Sequence, residues 1–211
     1  MSDFESRSAA EPAALEAGAP ARKRPKPGER RVQILQALAT MLEQPGSERI
    51  TTASLAARLG VSEAALYRHF ASKAQMFEGL IEFIEQSVFT LANKITQDEA
   101  DGLAQAGRLV EMLLAFAEKN PGMTRVLIGE ALVNEDERLQ ARINQLVDKL
   151  EAALRQSLRI AQAANGWHGD AQADAAVLIA YVLGRWQLYA KSGFKRTPQD
   201  GWALQRKFLF G

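Results

Sequence analysis

The 211-residue chain contains no cysteine. Disulfides, thiolate metal centres and cysteine nucleophiles are therefore excluded, and the composition fits a reducing compartment. Histidine is nearly as scarce, with only His69 and His168 present. Neither stands in a metal-ligand spacing, and no glycine-rich phosphate loop occurs. The expectation is a non-enzyme with no metal and no cofactor. No run of about 18 consecutive apolar residues exists, so no membrane-spanning helix is expected. The N-terminal stretch lacks the order of a signal peptide, because its basic cluster follows a weakly apolar segment. A cytoplasmic protein is expected. Strand alternation is missing as well, and apolar residues recur at spacings of three and four, so the expected fold is all-α.

Charge is unevenly spread. The net charge is only +1, but in residues 21–75 ten basic side chains face four acidic ones, leaving +6. Residues 76–211 carry 15 basic and 17 acidic groups, leaving −2. A polyanion would meet a positive first third and a mildly negative remainder. A solvated surface explains the same charges equally well.

Residues 1–28 are rich in Ala, Pro, Gly and Ser without apolar periodicity, and read as a disordered basic arm. A helix from Glu29 places Val32, Leu35, Leu38, Ala39 and Leu42 on one face and stops at Pro45 and Gly46. Two short helices follow. Thr51 can cap the first, with Ile50 and Leu55 at staple positions; Ser62 can cap the second, with Val61 facing Leu66. Gly60 suits the left-handed turn between them. A capping pattern at Ser72 and Gln75 opens a long helix to about residue 97. Further helices are predicted over about 102–119, 123–133, 136–163 (closed by Asn165 and Gly166), 170–191 and 198–210. The expected division is arm 1–28, a unit of short helices 29–73 and a longer helical unit 74–211.

The short pair carries the function. The B-DNA major groove is about 12 Å wide and admits one helix, whose outward side chains must be small or polar. A second helix must cross the backbone and set the angle. Residues 62–69 meet these demands. Leu66 and Phe70 point inward, leaving Ser62, Glu63, Ala64, Ala65, Tyr67, Arg68 and His69 outside. Thr51 and Thr52 can offer hydroxyls and N–H groups to a phosphate, and Lys73 can do the same. Two short packing helices with solvated charges remain the bland alternative.

The run ITTASLAARLGVSEAALYRHFASKAQMF resembles the DNA-binding domain of TetR-family regulators, in which Tyr67, Arg68, His69 and Phe70 followed by Ser72 and Lys73 close the recognition helix. The resemblance implies a homodimer on double-stranded palindromic DNA, with a C-terminal helical domain for dimerisation and regulation. VSEAALYRHFASKAQMFEGLIEFIEQSV, EKNPG and RINQLVDKLEAALRQSLR are similar to the nucleoid-occlusion branch of that family. The similarity runs from about Arg30 to about Arg159, continues more weakly through the last two helices and leaves the arm uncovered. That branch antagonises polymers of the tubulin-like division protein FtsZ when DNA-bound. Its groove for the FtsZ tail maps onto Phe83, Met112, Ala115, Lys119 and Asn120. A core Phe and a solvated lysine are the alternative there. Leu91 departs from the pattern, standing where an arginine is expected.

Val177, Ala180, Tyr181, Gly184 and Leu188 recur at helical spacing and read as a dimer face or, alternatively, as intramolecular core. Trp186, Tyr189 and Phe116 could line a ligand pocket, though such spacing also describes core. A ligand-responsive TetR-type repressor is therefore the competing function, and a helical interaction protein that does not bind DNA is the third.

Overall fold

The computed structural model describes residues 28–44, 50–164 and 167–210. The arm apart from Gly28, the turn at Pro45 and Gly46, and the stop at Asn165 and Gly166 lie outside the described residues. The elements are α1 (Glu29–Leu42), α2 (Thr52–Leu59), α3 (Glu63–Tyr67), α4 (Lys73–Asp98), α5 (Gly102–Lys119), α6 (Pro121–Leu127), a 3-10 turn (Glu130–Leu132), α7 (Glu137–Ala163), α8 (Ala171–Lys191) and α9 (Trp202–Phe210). Among the described residues there is no strand, and no helix is long and apolar enough to cross a membrane.

Local signals account for most helix starts. The Thr51 hydroxyl accepts from the Ser54 N–H and the Ser54 hydroxyl accepts from the Thr51 N–H, each at 3.1 Å, a reciprocal capping box. Gly60 closes α2 at φ 64°, where a side chain would be strained. Ser62 caps α3 through Ala65 N–H, and Ser72 caps α4 through Gln75 N–H. The Gln75 side chain returns to the Ala71 N–H at 2.8 Å, one residue before the position that a capping box requires.

Two predicted helices are shorter than expected. The 123–133 helix begins earlier, because Pro121 occupies the first position of α6, where its missing N–H costs nothing. It ends at Leu127, because Gly129 at φ 78° turns the chain into the separate 3-10 turn. The last helix begins at Trp202 rather than 198. Residues before it form a turn whose carbonyls at Thr197, Pro198 and Asp200 accept from the Arg185 guanidinium at 2.8–3.0 Å.

One apolar core runs from Ile34, Leu38 and Leu42 on α1 through Leu55, Leu66 and Phe70 to Leu80, Ile84 and Val88 on α4, and on through Leu113, Leu150, Leu178 and Trp186 to Trp202. The junction between α1 and α6 is unusually close. A Cβ added at Gly122 would stand 1.9 Å from the Ala39 carbonyl oxygen, so only glycine permits this crossing. Trp186 is wholly buried and donates its indole N–H to the Leu113 carbonyl at 3.1 Å. Tyr189 and Phe116 are buried too, and the Tyr189 hydroxyl donates to the Glu118 carbonyl. These three aromatics are core.

Candidate nucleic-acid interface

α2 and α3 pack on α1 and α4 through Leu55, Ala56, Leu66 and Phe70, all buried. The residues singled out in the sequence lie outside to different degrees. Thr51, Ser62, Glu63, Ala64, Tyr67, Arg68 and His69 are exposed, while Thr52, Ala65 and Lys73 are half-buried. Tyr67 keeps 45% of its surface accessible, high for an aromatic residue on an intramolecular helix pair. The helical part of this segment is short. It ends at Tyr67, and Arg68 and His69 form a turn in which the His69 N–H donates to the Leu66 carbonyl at 2.9 Å.

The N-terminus of α2 has donors to spare. The capping box uses the N–H groups of Thr51 and Ser54, leaving those of Thr52 and Ala53 without an intrahelical acceptor, directed out of the helix end. A phosphate oxygen is the complementary group.

Three contacts that hold this surface were not legible in the sequence. The Arg31 guanidinium donates to the His69 carbonyl at 2.7 Å and lies 4.1 Å from the centre of the Phe70 ring. It fixes the end of the reading segment to α1 through a charge-assisted hydrogen bond and a cation–π contact. The Thr52 hydroxyl donates to Glu63 Oε2 at 2.6 Å, and the Tyr67 hydroxyl donates to Thr52 Oγ1 at 3.4 Å. The Lys73 ammonium is paired with the Glu135 carboxylate, ahead of α7, and sits 5.7 Å from the Phe77 ring centre. The partners lie 38, 11 and 62 residues apart, beyond the reach of periodicity or spacing.

Elsewhere the candidate residues are brought together unequally. Phe83 is 42% exposed and lines a small, wholly apolar hollow with Val32, Leu35, Gln36, Leu80 and Met123, so its recorded neighbours are on α1, α4 and α6. Met112, Ala115 and Lys119 instead follow one another along α5, the first two half-buried and the third exposed. The Asn120 amide is turned inward and donates to the Phe116 carbonyl at 2.7 Å. On α8, Val177, Ala180, Gly184 and Leu188 form one exposed stripe, and a Cβ added at Gly184 would meet nothing within 4 Å. Tyr181 is different. It is half-buried, donates to Gln205 and packs on Trp202 with ring centres 5.9 Å apart, joining α8 to α9. α9 adds Leu204 and Phe208, 74% and 89% exposed, which the sequence reading passed over although their i, i+4 spacing was visible.

The fold and this surface define a helix-turn-helix regulator of the TetR class. A family model described as bacterial regulatory proteins, tetR family, matches residues 34–80, and one described as tetracyclin repressor-like, C-terminal domain, of SlmA-like type, matches residues 100–211. The nucleoid occlusion factor SlmA of Alteromonas mediterranea is 52% identical over 173 residues, spanning 81% of this chain and 89% of the relative. That of Vibrio cholerae is 51% identical over 182 residues, spanning 83% and 93%. Among solved structures, the TetR-family transcriptional regulator PfmR from Thermus thermophilus matches with a TM-score of 0.71 at 21% identity, covering 84% of this chain and 97% of its own, a likeness of fold. The chain belongs to the SlmA family of nucleoid occlusion factors.

Proposed function

We propose that this protein binds palindromic chromosomal sites as a homodimer and, when DNA-bound, antagonises FtsZ polymers so that septa do not form over the nucleoid. The half-identity to nucleoid occlusion factors along four-fifths of the chain carries this reading. The exposed Thr51–His69 face supplies the DNA contact. Thr51, Thr52 through its backbone N–H, Arg68 and Lys73 meet phosphates, and Ser62, Glu63, Ala64, Ala65, Tyr67 and His69 face the groove. The α8 stripe from Val177 to Leu188 supplies the isologous contact that sets two readers about one duplex turn apart. Phe83 and the outer face of α5, with Met112, Ala115, Lys119 and Asn120, receive the FtsZ tail. Phe83 is a ready aromatic anchor, and the Lys119 ammonium is available to an acidic or carboxylate-bearing segment.

The ligand-released repressor finds less support. The interior of the helical domain is filled by Leu113, Leu146, Leu150, Val182 and Trp186, each at most 2% exposed. A groove of about 480 Å³ does occur beside α7 and α8, but it is open and partly lined by Gln140, Asn144, Asp148 and Gln187. The deciding assay is sedimentation and light scattering of FtsZ-GTP polymers with the protein and its selected duplex. Shortened or disassembled polymers are expected, with the effect requiring duplex. Intact polymers with duplex demonstrably bound overturn the proposal.

A further inference from the structure

On the reading that α3 enters the major groove, we propose that Glu63 is a specificity-determining residue that selects cytosine at one position of each half-site. Glu63 is the first residue of α3 and is exposed, with Ser62 capping the helix before it. No ion pair of Glu63 is recorded among the described residues. Instead the carboxylate is held from one side. The Thr52 hydroxyl donates to Oε2 at 2.6 Å, and Tyr67 in turn donates to the Thr52 oxygen at 3.4 Å. Both hydroxyl protons thus run toward the acid. Glu63 Oε1 has no recorded partner among the described residues, so the exposed carboxylate keeps acceptor capacity to spare. The residues that follow, Ala64 and Ala65, have methyl groups and no hydrogen-bonding side chain.

An acceptor-only group held rigid on a reading helix has one good partner. In the major groove guanine presents two acceptors and thymine one, so both oppose a carboxylate. Adenine offers its N6 amino group, but its N7 acceptor lies beside it and repels the second carboxylate oxygen. Cytosine offers the N4 amino group without a neighbouring acceptor on the same base. Everywhere else on a duplex the carboxylate meets only phosphate charge, at distances within the roughly 8 Å over which physiological salt leaves charges interacting. Glu63 therefore weakens binding to arbitrary sequence while favouring cytosine where it lands. A carboxylate on a basic DNA-facing surface is explained by discrimination, since it can only reduce raw affinity.

The test separates this role from that of the surface as a whole. Duplexes bound by the wild-type protein are selected from a library with a randomised core. Dissociation constants are then measured for every single-base-pair variant of the selected duplex, with wild type, Glu63→Gln and Glu63→Ala. Wild type is expected to prefer cytosine by about tenfold at one position per half-site. Glu63→Gln, nearly isosteric and able to pair with adenine, should move that preference to adenine and bind unrelated duplex more tightly. Glu63→Ala should flatten it. Melting midpoints of the variants are read alongside. Identical base profiles for wild type and Glu63→Gln overturn the proposal, as does an equal loss at every position, which would mark Glu63 as structural only. Failure of the wild type to bind any duplex overturns the DNA-binding reading itself, and this inference with it.

Discussion

Gly122 offers a test in which two ordinary effects have opposite signs. It is the second residue of α6, and in an unobstructed helix Gly→Ala stabilises by about 0.4–1 kcal/mol through the unfolded chain. Here the new methyl would lie 1.9 Å from the Ala39 carbonyl oxygen and 2.9 Å from its carbon, both rigid backbone atoms. Real Cβ contacts do not fall below 3.0 Å, so α1 and α6 must part by about 1 Å, an overpacking that costs roughly 1–3 kcal/mol. The steric loss exceeds the propensity gain. At mid-range values the net loss is about 1.3 kcal/mol, and each kcal/mol moves the melting point of a chain this size by about 2–4 °C, so Gly122→Ala should melt about 3–5 °C below wild type. The displaced helix also carries Arg31, whose hydrogen bond to His69 fixes the reading segment, so duplex affinity should fall with the midpoint. Calorimetry and fluorescence anisotropy on the same preparation read both. A midpoint at or above that of wild type would refute the reasoning, because propensity would then have won.

Three further outcomes are expected. Val177→Glu combined with Leu188→Glu places charge on the exposed α8 stripe and should give a monomer by analytical ultracentrifugation, with palindrome affinity reduced to that of a half-site; a persistent dimer would remove that face from the interface. Lys73→Ala removes one of the cations proposed to meet a phosphate, so the slope of log K against log salt should become shallower by about 0.9, and an unchanged slope would show that Lys73, held by Glu135, does not reach DNA. Arg138, through its side-chain hydrogen bond and then its backbone N–H, holds the Asp136 carboxyl at about 2 against an ordinary 3.8. A lowered acid stabilises the fold above its unfolded pKa, and that contribution disappears as pH falls through the folded one. Asp136→Asn should therefore lower the melting point at pH 7 by an amount that shrinks as pH falls through about 2 and vanishes below it, with the titration followed by carboxyl NMR.

What the sequence made legible was local. Thr51, Ser62 and Ser72 announce helix starts because a cap satisfies donors two or three residues away, and Gly60 announces a turn because its own backbone angle requires it. The outward set from Ser62 to His69 followed from helical periodicity against Leu66 and Phe70. Non-local contacts stayed hidden. Pro121 opens α6, and Gly122 is needed because Ala39, over eighty residues earlier, crosses it. Glu63 stood only among the outward residues, whereas its carboxylate accepts from the Thr52 hydroxyl eleven residues away. Arg31 counted only as charge, although its hydrogen bond is to the chain itself. Tyr181 belonged by spacing to the open α8 stripe, but α9 covers it through Gln205 and Trp202.

The length of α4 has a mechanical consequence. Its 26 residues make an uninterrupted rod of about 39 Å that starts one cap beyond the DNA-facing turn and passes Phe83 on the way to Asp98. A tilt of only about 5° imposed at the Lys73 end would swing the far end by about 3 Å and Phe83, about 15 Å along the rod, by about 1 Å. On the proposed function, the seating of two readers on a duplex and the attitude of the flank that carries Phe83 would therefore be linked through one rigid helix. On that same reading, a lever of this kind would carry a grip on DNA toward the Phe83 face with no hinge in between.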